Sequence, residues 1–203
     1  MTDSATTNGP ATQDAAPIVP SFTAVPDVVD RLRSTGYLAD DATATSTFLA
    51  DRLGKPLLVE GPAGVGKTEL ARAVAAATDA ELVRLQCYEG IDEARALYEW
   101  NHAKQILHIQ ATGTRDWAEA KTDIFSDEFL LPRPLLTAIS RTDPTVLLID
   151  EVDKADIEFP NDLLQELDRM EFFVQETAET IRAEVRPIVI ITSNNEKELP
   201  DAF

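Results

Sequence analysis

The stretch "PLLVEGPAGVGKTELARAVAAAT", residues 56–78, leaves a chain few ways to fold. An apolar run without alternation leads into closely spaced glycines. An Ala-rich segment follows, in which Leu70, Val74 and Ala77 share one helical face. This order predicts a buried strand, a tight loop and a helix. The loop Gly61, Pro62, Ala63, Gly64, Val65, Gly66, Lys67, Thr68 has the spacing G-x-x-x-x-G-K-T. Its glycines let the backbone curl and aim N–H groups inward, and the helix adds the partial positive charge of its N-terminus. Such a loop is expected to cradle phosphates. Lys67 would reach the β- and γ-phosphates of a nucleotide, and Thr68 would offer its hydroxyl to Mg²⁺. The alternative is a glycine-rich turn without a ligand, and the flanking strand and helix weigh against it.

Further apolar runs at 146–150 and 187–194 also lack alternation, as strands covered on both faces do. The segment 81–88 adds a fourth strand. Helical patterns lie between them: 91–111 reads as one long helix, and 161–170 places Leu163, Leu164, Leu167 and Met170 on one side. Before the first strand, Val28, Val29 and Leu32 share a face, and so do Phe48, Leu49 and Leu53. Alternating strand and helix predict an α/β fold, a parallel sheet with helices on both faces. The span between Lys67 and Asp150 exceeds the roughly 60 residues that two βαβ steps need. Residues 111–134 hold the excess and read as an insertion. Residues 172–187 alternate around "TAET" and read as a β-hairpin. Residues 1–25 are poor in large apolar side chains and read as a disordered tail, leaving 26–203 as the core.

"VLLIDE" delivers Asp150 and Glu151 to the end of an apolar strand, where ligands bind in open α/β sheets. Asp150 is expected to hold Mg²⁺, and Glu151 to orient and deprotonate an attacking water. "ITSNN" ends another strand. Asn194 is the candidate for positioning that water, with Asn195 the weaker one and a turn-forming Asn pair the alternative. "NEKE" lacks the N-K-x-D pattern of guanine readers, so ATP is favoured over GTP. His102 and His108 lack the i, i+4 spacing of a metal pair on a helix. Cys87, Tyr88, Tyr98 and Trp100 read as packing residues.

The chain carries 36 acidic against 18 basic residues, a formal charge of −18, which argues against a surface for nucleic acid or an anionic membrane. Cys87 is the single cysteine, so no internal disulfide forms. With no apolar run of about 18–20 residues, membrane insertion is not expected. The expectation is a soluble cytoplasmic protein.

In order, the strand with its glycine loop (Walker A), the Asp-Glu strand (Walker B) and the strand ending in Asn resemble the AAA+ ATPases, whose core is a P-loop NTPase fold. The insertion before the Asp-Glu strand and the hairpin before the Asn strand are similar to the helix-2-insert branch and, within it, the MoxR-type ATPases. "LQCYEGIDEARALYEW", "LPRPLLTAI" and "TSNNEKELPDAF" resemble CoxD-like accessory ATPases of carbon monoxide dehydrogenase. The resemblance covers about 27–203. It implies an ATP- and Mg²⁺-dependent chaperone that hydrolyses ATP within a homo-oligomeric ring, usually a hexamer. It implies a client metalloenzyme whose metal centre is being assembled, and a von Willebrand A-domain partner. Gln86 matches a polar position on the second strand, near the catalytic Glu. The sheet order implied is 5-1-4-3-2. The fifth strand, the arginine finger and the helical lid with its second sensor fall beyond Phe203 in that family, so the core is expected to be incomplete at its C-terminus. Two rivals remain: a nucleotide-holding module with little turnover, and a DNA-directed motor of the same branch, which the charge disfavours.

Overall fold

The computed structural model describes residues 16–113, 121 and 123–199. In chain order the elements are α1 (Val25–Ser34), α2 (Asp41–Leu53), β1 (Leu57–Glu60), α3 (Lys67–Thr78), β2 (Glu81–Gln86), α4 (Glu93–Leu97), β3 (Tyr98–Trp100) and α5 (His102–Thr112). There follow β4 (Leu130–Pro132), α6 (Pro134–Ile139), β5 (Thr145–Asp150), a 3₁₀ turn (Val152–Lys154), α7 (Glu158–Arg169), β6 (Glu171–Val174), β7 (Glu179–Arg182) and β8 (Ile188–Ser193).

The main sheet is parallel, in the order β1-β8-β5-β2. This is the expected order over the strands described. β5 lies inside it and is buried along its whole length. Val146 and Leu148 face a layer built on Leu32 of α1 and Leu70 and Val74 of α3. Leu147 and Ile149 face the opposite layer, with Leu135 and Ile139 of α6 and Leu163 of α7. A strand covered on both faces needs apolar side chains at every position, which is why its sequence does not alternate. β1 has β8 as its one partner among the described residues, and its burial is only partial.

The hairpin forms as expected from β6 and β7. Phe172 and Val174 turn inward, Phe173 turns outward, and Glu171 pairs with Arg182 across the strands.

Three expectations need correction. The run 91–111 is not one helix: it breaks into α4, β3 and α5. β3 pairs antiparallel with β4, Trp100 opposite Leu130. Asn101 then caps α5, its side chain accepting from the Lys104 N–H at 3.0 Å. The aromatics at 98 and 100 pack rather than lie on a helix face. Tyr98 stacks on Phe172, and Trp100 meets Phe125 edge-on at 5.0 Å. β3 and β4 pair across the segment that holds most of the expected insertion, of which residues 114–120 and 122 lie outside the described residues.

The buried residues of α2 are Ala44, Thr47 and Asp51; of the expected apolar face Phe48 packs partly buried against the core, whereas Leu49 and Leu53 are exposed, Leu53 by 60%. The Asp51 carboxylate accepts the backbone N–H groups of Ser21 and Phe22, each at 3.0 Å, and so turns this polar side inward. Phe22 is in turn only 1% exposed, so the boundary drawn at residue 25 falls within a segment that packs on the core. Residues 1–15 of the expected tail lie outside the described residues. No helix among the described residues is long and apolar enough to cross a membrane.

Candidate active site

At the C-terminal edge of the sheet the loop from Gly61 to Thr68 curls off β1, anchored by Gly61 N–H to the Ser193 carbonyl at 3.2 Å. Gly66 caps α3 with φ +96°, a left-handed conformation that side chains resist, while a Cβ there would meet nothing within 4 Å. The glycine is needed for backbone conformation rather than for space. The loop closes over the Lys67 ammonium, which donates to the carbonyls of Gly61 (2.6 Å) and Pro62 (2.8 Å) and to Asn194 Oδ1 (2.8 Å). A cavity of about 290 Å³ opens above α3, lined by Ala63, Gly64, Lys67, Thr68, Glu151 and Asn194 among others. Val65 points to solvent, 59% exposed.

Asp150, 2% exposed, ends β5 under this cavity. Its Oδ1 accepts from Thr68 Oγ1 (3.1 Å) and Thr192 Oγ1 (2.6 Å), and its Oδ2 accepts from Arg84 Nε (2.9 Å). Thr192 also accepts the Glu151 N–H at 2.9 Å, so one hydroxyl fixes both acidic residues. Glu151 has φ +57°, a left-handed conformation that costs a non-glycine residue about 1–2 kcal/mol. This turn aims its carboxylate back along the strand ends. Oε2 accepts from Lys154 Nζ (2.7 Å) and Gln86 Nε2 (2.9 Å), and Oε1 from Asn194 Nδ2 (3.2 Å). The Lys154 hydrogen bond, helped by that from Asn194 and opposed by burial, holds the carboxyl below its ordinary pKa. Glu151 is therefore ionised at neutral pH and able to accept a proton.

Lys67, Thr68, Asp150, Glu151 and Asn194 thus converge on one cavity, and Gln86 reaches Glu151 from β2. Asn195 does not join them: it turns away with φ +60°, its N–H bonded to Ser193 Oγ. His102 and His108 lie on α5, where His102 Nδ1 meets Gln105 and His108 lies edge-on to Phe129 at 5.3 Å. Burial, and next the charge of Asp150, push the Cys87 thiol up to about 12, leaving it inert.

Four neighbours escaped the reading of the sequence: Arg84, Thr192, Asp153 and Lys154. Arg84 was legible in principle, because it stands two residues before Gln86 and so shares its strand face. Asp153, 2% exposed, accepts the N–H groups of Asn194 (3.1 Å) and Glu196 (3.0 Å) and fixes the turn after β8. Nothing local in the sequence announces that contact.

The oxygens of Thr68 and Asp150 suit Mg²⁺, a hard cation. Among the described residues there is no group of three or more His, Cys, Asp or Glu side chains that could hold a metal ion.

The sequence pattern of the family described as AAA domain (dynein-related subfamily) matches residues 56–202. A candidate ATPase from Cytophaga hutchinsonii, solved by crystallography, superposes with a TM-score of 0.57 at 16% identity, over 88% of this chain and 47% of that one. This chain therefore spans about half the length of that protein. No curated protein matches the chain.

Proposed function

The chain belongs to the AAA domain family, dynein-related subfamily, and on that premise we propose that it binds Mg²⁺–ATP at the loop from Gly61 to Thr68 and hydrolyses it. The fold is that of an AAA+ P-loop NTPase. One observation carries the reading: a single amide, that of Asn194, joins the Lys67 ammonium to the Glu151 carboxylate. A cation for phosphate and a base for water are thereby held at the two ends of one side chain.

In this reading the loop N–H groups and Lys67 bind the phosphates. Thr68 and Asp150 would hold Mg²⁺, which would supply positive charge to offset that of the phosphates. Glu151 takes a proton from the attacking water as the water oxygen bonds to the terminal phosphorus and the ADP oxygen leaves. Asn194 orients that water. Gln86 keeps Glu151 pointed at the cavity.

The resemblance to MoxR-type and CoxD-like ATPases supports a finer reading. The ATP energy would remodel a client metalloenzyme for metal-centre assembly, within a homo-oligomeric ring of six subunits, beside a von Willebrand A-domain partner. A second reading, a nucleotide-holding module with little turnover, is favoured by one feature: three donors already engage Glu151.

The test is a titration of the chain with a fluorescent ATP analogue, with and without Mg²⁺, followed by competition with ATP and GTP and by phosphate release. Mg²⁺-dependent binding that ATP reverses better than GTP, with phosphate release, is the expected result. Binding without release selects the second reading, and absence of binding overturns both.

A further inference from the structure

Arg84 has no part in the scheme above, yet it sits on the Asp150 carboxylate. β2 and β5 are in register with Gln86 beside Asp150, and Arg84 lies two residues back on the same strand face. Its Nε donates to Asp150 Oδ2 at 2.9 Å, and its Nη2 donates both to that oxygen and to Gln86 Oε1. The Asp150 side chain is 3% exposed, whereas that of Arg84 is 46% exposed. The anion is fixed and the cation has a route to water.

Charge makes this placement consequential. Asp150, Glu151 and Asp153 cluster at one strand end. Lys154 is spent on Glu151, Lys67 reaches loop carbonyls and Asn194, and the Asp153 oxygens take backbone N–H groups. Arg84 is the one side-chain cation paired with Asp150 among the described residues. A divalent cation using Asp150 must share this carboxylate with the guanidinium or displace it, and like charges a few ångströms apart in a partly buried site repel strongly.

We propose that Arg84 is a resident counter-ion that competes with the divalent cation for Asp150, and so sets the metal concentration at which the nucleotide site loads. The inference rests on reading Asp150 as the carboxylate that holds the metal. It also gives Arg84 a second effect, as a positioning residue. A guanidinium only donates and a carboxylate only accepts, so the Gln86 amide is oriented with Oε1 to Arg84 and Nε2 to Glu151. Displacing Arg84 loosens the far end of that clasp on Glu151.

The experiment measures Mn²⁺ binding to the full chain without nucleotide, by electron paramagnetic resonance, for the parent, Arg84→Met and Arg84→Lys. Removing the charge is expected to tighten Mn²⁺ by roughly tenfold or more, and the Lys variant to stay close to the parent. The Mg²⁺ concentration for half-maximal binding of a fluorescent ATP analogue should fall in Arg84→Met by the same factor, while binding in EDTA barely changes. Equal or weaker Mn²⁺ binding in Arg84→Met overturns the proposal, as does absence of Mn²⁺ binding in both chains. If the parent binds Mn²⁺ but no ATP analogue, the nucleotide reading falls and the metal competition is still judged on Mn²⁺ alone. Arg84→Gln serves as a second neutral variant. If neither neutral variant folds, Arg84 is structural and the proposal is wrong.

Discussion

Replacing Glu151 by Gln is the standard way to remove a base while keeping shape, but here the geometry makes it more than that. The carboxylate accepts from three donors: Lys154 Nζ, Gln86 Nε2 and Asn194 Nδ2. A glutamine has one oxygen to offer. With that oxygen toward Lys154 and Gln86, the new NH₂ faces the NH₂ of Asn194. Turning the Asn194 amide over relieves that clash but points its NH₂ at the Lys67 ammonium, which also only donates. One donor–donor contact must break to water whichever amide turns. A hydrogen bond to a charged group contributes about 1.5–3 kcal/mol when buried. The Glu151 side chain is 29% exposed, so a loss nearer about 1–2 kcal/mol is expected. Glu151→Ala removes the acceptor of all three donors and should destabilise at least as much as Glu151→Gln. General-base loss should lower phosphate release by about 10²–10⁴ relative to the parent, while ATP-analogue affinity stays within about tenfold because Lys67 and the loop persist. Denaturant unfolding, analogue titration and phosphate release are measured on the same preparations. Parent-like turnover in Glu151→Gln refutes Glu151 as the base, and a Gln variant as stable as the parent refutes the donor-mismatch argument.

Lys67→Met removes the side-chain cation of the loop, so ATP-analogue affinity should fall by about 100-fold or more, roughly 3 kcal/mol. Its acceptors lie at a cavity open to water, so the unfolding midpoint should hardly move; a parent-like affinity would contradict the loop assignment. Glu151 has its pKa lowered in the folded chain, chiefly by Lys154, so its contribution to stability is full above its ordinary value of 4.5 and is lost as pH falls through the lower folded value. Lys154→Met should flatten that part of the acid limb in pH-dependent unfolding, and an unchanged limb would count against the pairing. The Cys87 thiol, raised to about 12 and 1% exposed, should resist a thiol reagent at pH 8 until the chain is unfolded. Labelling of the native protein at the rate of a free thiol would contradict its burial.

What could be read from the sequence was what local chemistry decides. The run from Thr145 to Asp150 reads as a doubly covered strand because each of its two faces needs its own apolar residues. The loop from Gly61 to Thr68 reads as a phosphate cradle because glycines, lysine and helix start follow in fixed spacing. What could not be read depends on residues far along the chain. Three residues, Tyr98 to Trp100, become a strand only because Leu130 to Pro132 return to pair with them. Asp51 turns inward because the N–H groups of Ser21 and Phe22 arrive there, and no helical periodicity within α2 encodes that. Asp153 belongs to the same class, since its partners Asn194 and Glu196 come from the turn after β8.

The order of the sheet explains why the site is coupled rather than merely assembled. β8 is the last of the described strands in sequence yet lies between β1, which carries the loop, and β5, which carries the acidic pair. A polar side chain at its end is therefore the shortest bridge between phosphate cation and base, and Asn194 makes that bridge. On the far side of β5, β2 supplies Gln86 to Glu151 and Arg84 to Asp150, and Asp150 returns to Thr68, next in sequence to Lys67. The hydrogen bonds run as one chain through Lys67, Asn194, Glu151, Gln86, Arg84, Asp150 and Thr68, and the peptide bond between Thr68 and Lys67 closes it. Donors and acceptors must match at each link, so orienting one amide constrains the next. That is why Glu151→Gln is expected to disturb Lys67, to which it is not bonded, and why a cation drawn to Asp150 would act on the carboxylate of Glu151 through Arg84 and Gln86.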